Sequence, residues 1–456
     1  MRKNNVNMTS GPLAKNIIAF AIPVILGGWM QLFFNAADTI VIGQFCGSAS
    51  VGAMGATGSI SALIVNLFMG LSSGVSVAVA NAAGSRDHDS IQKAVHTAVL
   101  TAMIGGVVVA SLGVPLAKDL LRLMDTPESV IDKSALYMRI ILAGNIFSMM
   151  YNFGAAIMRA SGDSRRPLYF ISFSGMINVL LNLFFVLVLH LDVAGVALAT
   201  VIANAISAFL VLRSLSHRTD AFRFSFANLK IHKEVFLKIL RIGVPSGIQG
   251  SMFAISNVII QSSVNSFGEA LVAGNTANAN INGFMANATA GFAVASLNFT
   301  GQNVGARQYK RIRKVIINCM CIAAGLGLVL GAATQLLARP LLGLYITDSP
   351  QALEYGVLRS WYTGAPYVFY AVYEVFSASI RGLGKSTTSM IVSLGGIGVT
   401  RVIWIYTVFA HWRTPGVLYL SFPVSWLLTA LLMGICLLRA LRKVPNVDEP
   451  LPEHNM

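Results

Sequence analysis

Charge is scarce in this chain. Asp, Glu, Lys and Arg make up 11% of its 456 residues, where a soluble domain carries about 25%. With 55% hydrophobic residues beside so little charge, an ordinary water-soluble domain is excluded. Acids are scarcer than bases, 18 against 33, and the net charge is +15. Cysteine is nearly absent. Cys46, Cys319, Cys321 and Cys436 show no zinc-type spacing, so they read as small packing residues rather than metal ligands. A cleavable leader is not expected, because the polar opening "MRKNNVNMTSGPLAKN" runs straight into a long apolar stretch.

What the chain has instead is long apolar blocks of about 20 to 30 residues, each able to cross a hydrocarbon core of about 30 Å as a helix. Twelve spans are expected, near 16–42, 51–82, 94–116, 134–157, 168–190, 193–213, 240–265, 272–300, 315–337, 353–380, 387–410 and 417–438. Barrel strands would need only about ten alternating residues each. The bases test the count. The two termini and the alternate connections hold 25 of the 33, the opposite connections hold five, and Arg139, Arg359 and Arg401 lie inside spans. This bias predicts a multi-pass protein of the plasma (cytoplasmic) membrane with both termini in the cytoplasm. The positive charge is thereby explained without nucleic acid.

The halves repeat at a shift of about 222. "AIPVILGG" at 21–28 matches "IGVPSGIQG" at 242–250, pairing Pro23 with Pro245. "ANAAGSRD" at 80–87 matches "GQNVGARQ" at 301–308, and "RASGDS" at 159–164 matches "RGLGKS" at 381–386. Six spans separate each pair, so the copies are parallel in the membrane. The expected organisation is a cytoplasmic N-terminus 1–15, an N-lobe 16–213, a cytoplasmic linker 214–239, a C-lobe 240–438 and a cytoplasmic tail 439–456. Duplicated lobes are the common plan of secondary transporters.

Only two acids, Asp38 and Glu374, fall deep inside spans. An ionised carboxylate at the bilayer centre costs about 2.5–3.5 kcal/mol on insertion scales. An acid so placed carries function, or is tied to a neighbouring helix by hydrogen bonds. Its hold on a proton follows its surroundings, which suits a site that is protonated in one state and cation-binding in another. Asn178 and Asn182 lie one turn apart on span five and face the same way. Each also reads as interhelical glue worth about 0.6 kcal/mol. Glu374 sits about 10 Å from the cytoplasmic end of its span, placed to bind a cationic substrate or to pair with Arg401. For Arg401 a structural ion pair is expected. Phe34, Phe153, Tyr370 and Tyr373 could meet flat cations through their ring faces, or simply pack.

Several segments together resemble one family. They are "TSGPLAKNIIAFAIPVIL", "NAADTIVIGQF" with "SVGAMGATG", "IMRASGDSRRP", "INVLLNLFFV" with "VAGVALATVIAN", "LRIGVPSGIQ", "GQNVGARQYKR", "SIRGLGKST" and "RVIWIYTVFA" with "YLSFPVSW". In order, spacing and duplication they are similar to the multidrug and toxic compound extrusion (MATE) family, in its DNA-damage-inducible-F-like bacterial branch. The resemblance implies an all-α polytopic membrane protein with twelve transmembrane helices in two six-helix lobes, related by pseudo-two-fold symmetry and arranged as a V. It implies an antiporter that exports organic cations in exchange for H⁺ or Na⁺. It also implies that Asp38, Asn178, Asn182 and Thr200 line a cation and proton site, with Na⁺ as the one metal ion expected there. Bending of the first span at Pro23 is implied to accompany coupling. The sequence departs from one common family pattern at Asn182, where an Asp often stands, so this lobe has a single titratable group.

The expected function is therefore secondary active efflux by alternating access, with a cationic, amphiphilic small molecule as substrate. Membrane lipid is the surrounding partner, the chain is expected to act as a monomer, and no cofactor is expected beyond the coupling ion. A flippase for lipid-linked precursors would call for a more basic cavity than the few deep bases suggest. A polytopic enzyme would need a catalytic constellation, and the sequence has no HExxH motif and no paired intramembrane aspartates. "GLGKST" at 382–387 lacks the first glycine of a phosphate loop, since Ser379 stands there, so ATP hydrolysis is not expected. A channel fits the lobed duplication poorly.

Overall fold

In lipid every backbone N–H and C=O must find a partner within the chain, and a helix does this within one segment. A computed structural model describes residues 5–347, 349–445 and 447–449, apart from the side chains of Ser48 and Ala49. Its regular structure is helical throughout the described residues. The first half runs α1 (Leu13–Phe45), α2 (Ser48–Ser85), α3 (His88–Leu123), α4 (Glu128–Ala160), α5 (Arg165–Leu183) and α6 (Asp192–Ser216). The second runs α7 (Lys233–Asn265), α8 (Glu269–Gly305), α9 (Tyr309–Leu336), a short α10 (Ala338–Gly343), α11 (Pro350–Thr363), α12 (Tyr367–Gly382), α13 (Ser386–Ser393), α14 (Thr400–Trp404) and α15 (Pro415–Arg442).

Nine helical stretches among the described residues are long and apolar enough to cross a membrane. The three other expected spans fall short for visible reasons. α7 and α8 are long enough, but Gln, Asn, Ser and Thr dilute them. The expected tenth span is divided at residues 364–366 into α11 and α12.

Backbone geometry carries the repeat. Left-handed residues recur in matching places: Gly47 (φ 83°) with Gly268 (φ 93°), Arg86 (57°) with Arg307 (54°), and Gly162 (93°) with Gly384 (79°). The π-helical turn Phe184–Val188 likewise has a counterpart at Ile405–Phe409. Such turns insert one residue per turn and re-aim the side chains beside them. The first begins two residues after Asn182; a further one, Leu394–Val399, and Ile405–Phe409 stand to either side of Arg401.

The chain divides into two compact units. Unit 1 is built on Leu26–Gly243; unit 2 is built on Asn7–Ile25 together with the chain from Val244 onward. The sequence-based limits 16–213 and 240–438 kept each first span whole. In the structure α1 contributes its residues up to Ile25 to unit 2 and the rest to unit 1, and α7 changes unit after Gly243. Both changes fall within two residues of Pro23 and Pro245, which lie inside these helices. Proline removes one backbone hydrogen bond there and weakens the helix locally.

In unit 1, α4 packs on α2, α3 and α6, and α5 pairs with α6. Met149, Phe153 and Ile157 recur every fourth residue on α4 and enter one apolar core with Phe68, Val95 and Phe224. In unit 2, α8 packs on α9, α11 and α12, and α12 also meets α15. The residues between α6 and α7 fold back on unit 1. Arg218, almost fully buried, donates to both carboxylate oxygens of Asp220 at 2.8 and 2.6 Å and to Ser161 Oγ at 3.1 Å. Partial burial works to raise the Asp220 pKa, but the bonds and charge of Arg218 outweigh it and hold the carboxyl below its ordinary range.

α1 is set against α5 by one glycine. A Cβ on Gly175 would stand 1.9 Å from Cε2 of Phe34, so the ring seats directly on the α5 backbone, one turn before Asp38. Gly175→Ala should overpack this contact and cost about 1–3 kcal/mol, read as a lower thermal midpoint in detergent. Phe34→Leu in the same chain should restore most of the loss. A wild-type midpoint for Gly175→Ala alone would show that the contact is loose.

The Asp220 carboxylate makes a second prediction. A pKa depressed in the folded state adds stability above about pH 4, the ordinary carboxylate value, and this is lost as pH falls through the lower native pKa. Asp220→Asn should therefore lower the midpoint at pH 7 by about 2–4 °C and by little near pH 3. Equal losses at both pH values would rule out the charged pair as the cause.

Candidate functional site

Three helices of unit 1 bring the expected residues together. α1 supplies Asp38, α5 supplies Asn178 and Asn182 from one face, and α6 supplies Thr200. Asn182 Nδ2 donates to Asp38 Oδ1 at 2.5 Å. The Asn178 amide satisfies both its ends in the orientation where its nitrogen donates to Asp38 Oδ1 at 2.8 Å and its oxygen accepts from the Thr200 backbone N–H at 3.3 Å; amide orientation is assigned from such networks. The Thr200 hydroxyl donates to the Val196 carbonyl at 3.0 Å and lies 3.4 Å from Asp38 Oδ2.

The two carboxylate oxygens are therefore unequal. Oδ1 accepts from two amides, and Oδ2 has one long contact. Asn182 is fully buried, and its Oδ1 has no hydrogen-bond partner. None of the ion pairs among the described residues includes Asp38. One carboxylate oxygen thus has a single long contact, and the oxygen of an amide bonded to the other has no donor. That deficit suits a proton or a small hard cation, which takes oxygen ligands.

The aromatic candidates divide. Phe34 sits on α5 one turn from Asp38, as described. Phe153 was expected at a substrate cleft, but it is fully buried in the α2–α3–α4 core and serves packing. Its place on the Met149–Phe153–Ile157 stripe explains this, because that stripe is the buried face of α4. Tyr370 lines a cavity of unit 2 together with Tyr367 and Trp426. Tyr373 is buried beside it in a closed network. Its hydroxyl accepts from Gln249 Nε2 at 3.1 Å and meets Ser393 Oγ at 3.3 Å, and Gln249 Oε1 accepts from Ser389 at 3.1 Å.

The expected pairing of Glu374 with Arg401 is not formed. Arg401 donates to Asn257 Oδ1 at 3.0 Å and to Ser425 Oγ at 3.1 Å, and its guanidinium stacks on Phe422 and Phe253. Neither Glu374 nor Arg401 takes part in an ion pair among the described residues. The residues that hold Arg401 come from α7 and α15, so no pattern within its own segment announces them. Arg359 is the other residue without an assigned role. It is buried at 7% exposure, and a base inside a span was the signal for it.

Known proteins can now be set beside this geometry. The profile of the MatE family matches residues 23–184 and again 245–407. The "Probable multidrug resistance protein YpnP" of Bacillus subtilis is 26% identical over 424 residues, covering 93% of this chain and 94% of that protein. The "FAD transporter" of Shewanella oneidensis is 21% identical over 401 residues, covering 86% of this chain and 87% of that one. A solved outward-facing MATE transporter of the MOP superfamily shares the fold at a TM-score of 0.90 and 23% identity, over 97% of this chain and 99% of that one. With the profile matched in each half and this two-lobed helical fold shared along nearly the full length, the chain belongs to the MatE family of multi-pass membrane transporters.

Proposed function

We propose that the chain is a secondary active exporter of small organic molecules, driven by inward H⁺ or Na⁺ bound at Asp38. The observation that carries this is the unequal carboxylate: two amides hold Oδ1, while Oδ2 has only the long contact from Thr200 and the Asn182 oxygen has no donor. A bound proton or Na⁺ supplies what those oxygens lack. Protonation also removes the charge to which both amides donate, and charge-assisted hydrogen bonds are about twice as strong as neutral ones. Ion binding would in this way loosen α1 from α5. The first span changes unit beside Pro23, where the helix is weakest, so a change at Asp38 has a hinge to act on. In this reading the two states alternate access to the two sides of the membrane.

Relatives named for multidrug resistance support small organic cargo, and the relative named for FAD supports a range of cargo wider than drugs. Cationic amphiphiles are the first class to try, with Glu374 as their carboxylate. A potential of 100 mV adds about 2.3 kcal/mol for each charge moved. The bias of bases supports cytoplasmic termini; insertion in the plasma membrane as a monomer among lipids belongs to the same reading.

The test is transport of a fluorescent organic cation by reconstituted vesicles, with pH and Na⁺ gradients imposed separately. One gradient should drive uptake against the cation's concentration, and Asp38→Asn should lower that rate at least tenfold with an unchanged melting midpoint. Absence of transport under both gradients overturns the exporter reading for this cargo. Full gradient-driven transport in Asp38→Asn removes Asp38 from coupling.

A further inference from the structure

Unit 2 holds a half-open cavity of about 290 Å³ whose lining includes Arg359, Asn257, Asn282, Tyr367, Tyr370 and Trp426. No Asp or Glu is among its lining residues; Glu374 stands one turn beyond Tyr370 and is not part of the wall. Two guanidiniums bear on it. Arg359 lines it directly and donates to the Asn275 carbonyl. Arg401, 1% exposed, is held by Asn257 and stacks on Phe422, both residues of the wall. The Phe422 ring lies 5.5 Å from the Arg359 guanidinium and 4.6 Å from that of Arg401.

Both arginines are left short. Arg359 Nε and Arg401 Nη2 have no hydrogen-bond partner, and neither residue joins an ion pair among the described residues. Two buried positive charges without a counter-charge are costly. A guanidinium answers that cost best with a carboxylate or phosphate, whose oxygens match its planar fork. Aromatic rings form part of the remaining wall, beside amides and small residues. Tyr370 has ring neighbours in Tyr367 at 5.2 Å and Trp426 at 5.5 Å, an arrangement that accepts another flat ring. The volume is at the small end for a ligand pocket, which fits one ring and its charged group.

The internal repeat makes the contrast sharper. The family profile meets the two halves at an offset of 222 residues at its start and 223 at its end. At 222, Asp38 falls on Ile260, a residue of the cavity wall. Where unit 1 places an acid held by amides, unit 2 places an aliphatic residue.

We propose that unit 2 binds a small aromatic anion in this cavity, its carboxylate or phosphate held by Arg359, with the charge of Arg401 behind Phe422 adding to the attraction and its ring against Tyr370 and Trp426. The site is separate from the ion coupling proposed for unit 1, and binding can be read without transport. Calorimetry on the purified full chain in detergent compares benzoate, phenyl phosphate, benzylammonium and acetate. At least one aromatic anion should bind tenfold or more tightly than both benzylammonium and acetate. The tighter of the two anions distinguishes a carboxylate ligand from a phosphate ester.

Arg359→Gln should weaken that binding at least tenfold. Because loss of a buried arginine can disturb folding, Gly283→Leu provides an independent arm. Gly283 lines the cavity, and a Cβ there meets nothing within 4 Å, so a side chain added at this wall position starts in open space. It should abolish binding with the melting midpoint unchanged. Equal binding of benzylammonium and benzoate, no binding of either aromatic anion, or undiminished binding in Gly283→Leu would each overturn the proposal.

Discussion

Inside a membrane no water completes a hydrogen bond, so each polar group must be answered by another part of the chain or by a ligand. This constraint organises the whole molecule. It makes the backbone helical from α1 to α15. It also turns every buried polar side chain into a statement about its neighbours. Where the answers are complete, as in the network of Gln249, Tyr373, Ser389 and Ser393, the helices are simply tied together. Where they are incomplete, the structure has room for something that comes and goes.

Two of the incomplete places, one in each unit, are opposite in sign. At Asn182 an oxygen lacks a donor, and Asp38 Oδ2 has only one long contact. At Arg359 and Arg401 donors lack acceptors. The halves descend from one repeat, visible in paired left-handed residues and paired π-helical turns, yet their polar interiors have diverged. A conserved frame with different interiors is how one fold can serve different ligands. The same frame shifts α1 and α7 from one unit to the other beside Pro23 and Pro245. The acid of α1 therefore shares a continuous helix with a segment of the other unit.

Much of the site was legible beforehand. Asp38 stood out because an acid in an apolar span is expensive. Asn178 and Asn182 stood out because a four-residue spacing puts two amides on one helical face. Their meeting with Thr200 needed three helices in register, which one segment's pattern does not encode. Phe153 misled for a related reason. An aromatic in an apolar helix looks the same whether its stripe faces a core or a cleft, and α4 turns it to the core. Arg401 misled differently. Its charge called for a counter-charge, and the fold supplied Asn257, Ser425 and two aromatic rings instead of Glu374.

The sequence by itself determined the class of protein, the span pattern, the duplication and the two deep acids. Those follow from composition and from periods of a few residues, which are local properties of the chain. Only the tertiary structure decided the partners of each buried charge. Partnership depends on which residue of a distant helix arrives within about 3 Å, and that distance is set by packing. The seat of Phe34 on Gly175, the shared use of Phe422 by two arginines and the division of α1 after Ile25 are all of that kind.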